Sequence, residues 1–268
     1  MFSMFQYPFM IYALILGVAL AISAACLSPF LVFSNQAMIA DGMSHIAFTG
    51  VILGFLLSEQ SLYFALPFVV VASFAITYIS SKPGINSDTA IGVVSAVSLA
   101  IGLIVATVGD GFNRSIESLL VGSILTVSTT EMISTVILAL LVVIFVCVNY
   151  RSLLSMTFDE TYARFRKVKV TLLRYTLTAA TAIFVVLGVR SAGTLLISAF
   201  VIFPSISAVQ LSKSFKQTLI FGIIFAVIGM FVGIVASYHL NFPTGSTIVL
   251  AYTAILFICY GYKRIRGN

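Results

Sequence analysis

Nine mainly apolar runs, separated by short polar or basic stretches, set the pattern of this chain: 9–32, 37–57, 62–80, 89–108, 131–149, 172–190, 193–210, 217–237 and 246–262. A helix needs roughly 20 predominantly apolar residues to cross the hydrocarbon core of a bilayer, and every run approaches that length. The pattern predicts an all-α, polytopic transmembrane helical bundle of about nine spans, eight to ten being compatible with the blurred run ends. No stretch is long or polar enough for a second, soluble domain, so residues 1–268 are expected to form one domain.

Two segments break the pattern. From Gly109 to Thr130 the chain is too polar and glycine-rich for an ordinary span, yet Leu119 to Leu125 is too apolar for a free loop. A short helix packed on the bundle, or a re-entrant piece resting against protein, satisfies both demands. From Tyr150 to Lys169, Asp159, Glu160, Arg164, Arg166, Lys167 and Lys169 are interleaved with Phe158, Tyr162 and Phe165, the pattern of an amphipathic surface helix.

Composition strengthens the membrane reading: 60% of residues are hydrophobic and 8% charged, and the mean hydropathy is +1.16, far from the usual soluble range. The net charge of +6 does not point to nucleic acid, because the basic residues gather in short loops. Lys82, six residues from Arg151 to Arg174, Lys213, Lys216, Lys263, Arg264 and Arg266 make twelve in alternate loops, against Arg114 and Arg190 in the others. By the positive-inside rule the first set is cytoplasmic and the N-terminus external. Glu59, Asp110, Glu117 and Glu131 then fall on the external side, where they mildly favour a cation at the mouth, screened by salt. Met1 to Tyr7 lacks the basic start of a signal peptide, so the first run is expected to be retained as a span. Cys26, Cys147 and Cys259 lie in apolar runs without paired spacing and read as small packing residues.

Candidate chemistry concentrates in Asp41-Gly42-Met43-Ser44-His45. A carboxylate and an imidazole four residues apart share one face of a helix. Each ionisable group in a span costs roughly 2.5 to 3.5 kcal/mol on insertion scales, so the pair calls for a function. Asp and His together can hold a divalent cation, although one chain offers two ligands where zinc takes four and manganese more. A twofold axis beside this helix would double the set. The alternative is a plain Asp-to-His hydrogen bond that fastens helices together. Ser44 and Thr49 are near enough in sequence to support the pair, or are ordinary packing residues, and Gly42, Gly50 and Gly54 form a small-residue track suited to close helix approach. His239 falls in an expected external turn and reads as a surface residue. No GxxxxGK[ST] phosphate loop and no assembled nucleophile, base and orienting group exist, so the chain is not expected to be an enzyme and its energy must come from a partner or an ion gradient.

Several stretches, in order along nearly the whole chain, resemble the permease subunits of ABC importers for zinc and manganese: Asp41 to His45, Ser87-Asp88-Thr89-Ala90-Ile91-Gly92, Val121 to Ser128, Phe158-Asp159-Glu160, Ala192 to Ala199, Pro204, and Leu211 to Gln217. Three departures stand out. Ser34-Asn35 replaces the usual Arg-Arg pair, Lys167 and Lys169 stand where glycine and proline are typical, and Val189-Arg190-Ser191 adds a cation near the external mouth. The resemblance implies a type II-like importer permease in a bacterial cell membrane, working as a homodimer with two cytoplasmic ATP-binding subunits and an extracellular metal-binding lipoprotein. It implies Asp41 and His45 as transmembrane metal ligands and Phe158, Asp159, Glu160 and Ala163 as the ATPase contact, with Leu211 to Gln217 a second candidate. No cofactor is expected to reside on the chain; zinc, or else manganese, is the implied cargo, and the partner consumes ATP. Zinc is favoured because Gly122 to Ser128 and Thr157 to Glu160 look closer to the zinc-importing branch. A proton-coupled secondary transporter with Asp41 or His45 as carrier, and a purely structural subunit, are the competing readings.

Overall fold

In the computed structural model, residues 8–57, 61–108 and 129–266 are described. They form helices α1 (Pro8–Phe33), α2 (Ile39–Leu57), α3 (Ser61–Ser80), α4 (Ser87–Val108), α5 (Thr129–Phe158), α6 (Glu160–Phe165), α7 (Val170–Ala192), α8 (Thr194–Val209), α9 (Phe215–Leu240) and α10 (Thr244–Arg266). Each of the nine apolar runs coincides with one long helix, and the amphipathic segment supplies the short α6. The expectation for Gly109 to Thr130 falls, except for its last two residues, outside the described residues.

Among the described residues six helices, α1, α4, α5, α7, α9 and α10, are long and apolar enough to cross a membrane on their own, while α2, α3 and α8 carry shorter apolar stretches. The expected count of about nine spans is not confirmed by this criterion, which six of the nine long helices meet. The reason is visible at α8, whose 16 residues rise about 24 Å at 1.5 Å each, short of a hydrocarbon core about 30 Å thick. α5 departs from expectation in the other direction. It continues as helix through Tyr150 to Phe158, absorbing half of the amphipathic segment.

α2, α3 and α4 pack together, and α7 joins them through α2 and α3. α1 packs on α5, α8 and α9, α10 packs on α8 and α9, and α8 touches α2 and α7, tying the two groups into one bundle. Lipid tails are as apolar as the helix faces, so association rests on close packing and a few polar ties. A Cβ on Gly50 would stand 2.8 Å from Ala65 Cα, which shows how near α2 and α3 run. Thr49 donates to the Ser98 carbonyl at 2.7 Å, the Thr77 and Thr178 hydroxyls meet at 3.0 Å, and Tyr252 donates to the Ala226 carbonyl at 2.7 Å. Outward, Val97 and Ile104 of α4, Ile137 and Leu141 of α5, and Phe257 and Ile258 of α10 are exposed, an apolar perimeter suited to lipid.

The basic loops converge on one end of this bundle. There Phe33 of α1 and Phe158 of α5 lie with ring centroids 5.8 Å apart, and Phe215 of α9 packs on both. Lys263 reaches from α10 to Gln210 after α8 at 3.3 Å.

Candidate metal site

The α1–α2 connection sets the start of the site. Asn35 takes a left-handed φ of 55°, and the bonds Asn35 N–H to Val32 O (3.3 Å) and Gln36 N–H to Leu31 O (2.9 Å) close α1 with a Schellman turn. α2 then begins at Ile39, so Asp41 falls in its first turn, where the helix dipole favours a negative charge. From Ile39 to Gly50 every residue is buried except Asp41 and His45. The two share one helical face, with side chains 43% and 35% exposed, and His45 Nε2 stands 3.7 Å from Asp41 Oδ2.

That separation is too long for a good direct hydrogen bond. It suits a shared ion: two metal–ligand bonds of about 2.0–2.2 Å span at most about 4.3 Å. His45 Nδ1, on the other side of the ring, is buried without a hydrogen-bond partner. Ser44 and Thr49 do not support the side chains. Ser44 donates to the Asp41 backbone carbonyl at 2.6 Å, and Thr49 donates to the carbonyls of His45 (3.3 Å) and Ser98 (2.7 Å), so both hold the helix. Ser198 of α8 lies near the Asp41 carboxylate, with its hydroxyl donating to the Thr194 carbonyl at 3.1 Å. Residue-by-residue reading missed it; its one signal was the Ala192 to Ala199 stretch within the resemblance. Gly42 and Gly50 behave as a close-approach track, with Ile91 and Ser95 of α4 over the first and Ala65 of α3 over the second.

Among the described residues no three His, Cys, Asp or Glu side chains gather as a metal cluster. The candidate set among them is the Asp41–His45 pair. His239 is exposed at the end of α9 with its ring against Tyr238, and Cys26 and Cys259 are buried while Cys147 is exposed, all as free thiols.

The other expected contact, at the basic end, is sorted by the structure into different roles. Asp159 accepts the Tyr162 N–H at 2.9 Å and so caps α6. Glu160 accepts from Arg164 Nη2 at 2.6 Å and, with its other oxygen, from Arg174 of α7. The Arg164 hydrogen bond, aided by Arg174, holds the Glu160 carboxyl below its ordinary range. Ala163 is fully buried, which corrects its assignment to an outward contact: a side chain with no exposed surface cannot meet a partner. The outward surface is aromatic, with Phe158 63%, Tyr162 51% and Phe165 85% exposed. α6 ends in another Schellman turn, Lys167 N–H to Arg164 O (2.9 Å) and Val168 N–H to Ala163 O (3.0 Å), which places Lys167 at a φ of 59°. Glycine fits that left-handed position without a Cβ penalty.

The chain is 27% identical, over 99% of its length and 94% of the relative's, to a manganese transport system membrane protein of Listeria innocua. It is 32% identical to the manganese import system permease protein ScaB of Streptococcus parasanguinis over 94% of this chain and 90% of that one. The chelated iron transport system membrane protein YfeD of Yersinia pestis is 26% identical over 98% and 88% of the two chains. Among solved structures, PsaBC from Streptococcus pneumoniae in complex with Fab superposes with a TM-score of 0.83 at 28% identity, covering 99% of this chain and 98% of that chain. The sequence pattern of the ABC 3 transport family matches residues 6–263. With nearly the whole chain inside that match, this multi-pass membrane protein belongs to the ABC 3 transport family.

Proposed function

We propose that the chain is the permease subunit of an ATP-driven importer that carries a divalent first-row transition metal by alternating access. The observation that carries this reading is Asp41 beside His45, the two open positions on an otherwise buried stretch of α2. Two protomers related by a twofold axis would contribute two carboxylates and two imidazoles, a complete four-ligand set made of half-sites. A resident metal-binding His normally has its second ring nitrogen held by a hydrogen bond. His45 Nδ1 has no partner, and the pair is part-exposed, as befits an ion that must leave again. ATP-driven movement would bring the half-sites together in one state and part them in the other.

Manganese is the cargo this reading favours over the zinc expected from sequence, because the relatives are named for manganese and iron transport. Ligand chemistry alone does not separate them, since Asp and His suit both ions and zinc binds such donors more tightly. The chain has no phosphate-binding loop, so separate cytoplasmic ATP-binding subunits supply the energy, docking on α6, and an extracellular metal-binding lipoprotein delivers the ion. The twelve-to-two distribution of Lys and Arg supports α6 and the basic end facing the cytoplasm.

The test is metal uptake into proteoliposomes holding the permease with its ATP-binding subunits, for wild type, Asp41→Ala and His45→Ala. Uptake of Mn2+ by wild type and background uptake by both variants, each still inserted and dimeric, is the expected result. Normal uptake by both variants sinks the site assignment. Transport of Zn2+ in preference to Mn2+, at matched free concentrations, returns the cargo to zinc.

A further inference from the structure

α6 has six residues, and its fastenings to the rest of the bundle can be followed one by one. Phe158 and Asp159 join it to α5, Ala163 is buried beneath it, and the turn at Lys167 leads into α7. Behind it lies a cavity of about 640 Å³, with Glu160, Arg164 and Arg174 on one side and Asn35, Ser80 and Ser87 on the other. Ring packing runs from Phe158, where α5 meets α6, to Phe33 of α1, whereas the cavity stands between α6 and the ends of α3 and α4. The carboxylate of Glu160 provides another route. One oxygen accepts from Arg164 within α6, and the other accepts from Arg174 of α7. One turn further along α7, Thr178 donates to the Arg174 carbonyl at 2.7 Å and meets Thr77 of α3 at 3.0 Å. α7 also packs on α2, the helix that carries Asp41 and His45.

We propose that Glu160 is the positioning residue of energy coupling: by bonding Arg164 and Arg174 at once it makes α6 and α7 move as one piece, so displacement of α6 reaches α2 and the metal pair. This rests on the reading of α6 as the ATPase contact. Both carboxylate oxygens are held by arginine, one by the exposed Arg164 of α6 and one by Arg174 of α7, so Glu160 acts through α7 and leaves docking to the exposed aromatic side chains. Removing its charge should leave the assembly and its ATP hydrolysis in place while separating hydrolysis from transport.

The experiment uses the full complex in proteoliposomes and reads three quantities: co-purified ATP-binding subunit, ATP hydrolysis, and Mn2+ moved per ATP. For Glu160→Gln and Arg174→Gln the subunit stays bound and hydrolysis stays near wild type, while Mn2+ per ATP falls about tenfold, within the range for residues that transmit coupling. Lys169→Gln removes a neighbouring exposed cation without touching Glu160 and leaves the ratio unchanged. The exchange Glu160→Arg with Arg174→Glu, made with Arg164→Gln to relieve like-charge repulsion, recovers the ratio, which a general loss of structure would not allow. An unchanged ratio in both single variants overturns the proposal. Loss of the ATP-binding subunit from Glu160→Gln also overturns it, making Glu160 a docking residue. If the wild-type chain binds no ATP-binding subunit at all, the proposed function itself has failed.

Discussion

Placing a carboxylate in a membrane helix costs about 2.5–3.5 kcal/mol on insertion scales, and α2 sets that carboxylate 3.7 Å from an imidazole in a half-open position. A purely adhesive Asp–His hydrogen bond would be shorter and closed to solvent, so coordination explains the geometry better. The effect of losing a ligand should be chemical more than steric. His45→Asn, which keeps a polar side chain of smaller size, is expected to reduce metal uptake to background; uptake near wild type would favour the adhesive role. A second expectation concerns Lys167. Its φ of 59° costs a residue with a Cβ about 1–2 kcal/mol, and glycine gives back about 0.5–1 kcal/mol in chain entropy. Lys167→Gly should therefore stabilise the permease by about 0.5–1 kcal/mol, read as a higher unfolding temperature in detergent, and a lower temperature would show that the lysine side chain makes a compensating contact. Both sites were visible in sequence for local reasons, one from i, i+4 spacing and one from glycine's place in the resemblance. Ser198 was not, because its proximity to Asp41 depends on how α8 packs against α2.

Among the elements, the long helices were legible because each needs only a run of apolar residues, while their lengths and ends were set by packing and caps. α5 runs on to Phe158 because Phe158 is anchored by Phe33 and Phe215, contacts between residues far apart in sequence. α6 was legible as amphipathic, but its working face was not. Asp159, Glu160 and Ala163 turn to a cap, an internal ion pair and the core, leaving Tyr162 and Phe165 exposed. Exposed aromatic residues in a small cluster are typical anchors of protein interfaces. The double substitution Tyr162→Ala and Phe165→Ala should cost at least about 2 kcal/mol of binding, enough to lose the ATP-binding subunit during purification, with the permease dimer unchanged in size-exclusion chromatography. Retention of the subunit would move the docking face elsewhere. A single cysteine at Phe165 should also resist a membrane-impermeant thiol reagent applied outside intact cells; labelling from outside would invert the orientation drawn from the basic loops.

For the whole molecule, the decisive question is where the energy comes from, since an Asp–His pair in a membrane helix suits a proton carrier as well as a metal ligand. Several features weigh against a proton-coupled transporter. Among the described residues the pair has no third His, Cys, Asp or Glu beside it, α6 presents exposed aromatic side chains at the basic end, and membership of the ABC 3 transport family covers residues 6–263. The proposed assembly gives these features a use: a second copy would complete the ligands, and an ATP-binding subunit would cover the aromatic face. Reconstituted alone, the permease should move no metal under an imposed pH gradient. With its ATP-binding subunits it should move metal only when ATP is hydrolysed, and the delivery lipoprotein should raise the rate. Substantial uptake by the permease alone, driven by the pH gradient and abolished by Asp41→Asn, would replace the ATP-driven reading with the proton-coupled one, and would make the 3.7 Å gap between Asp41 and His45 a step in a proton path.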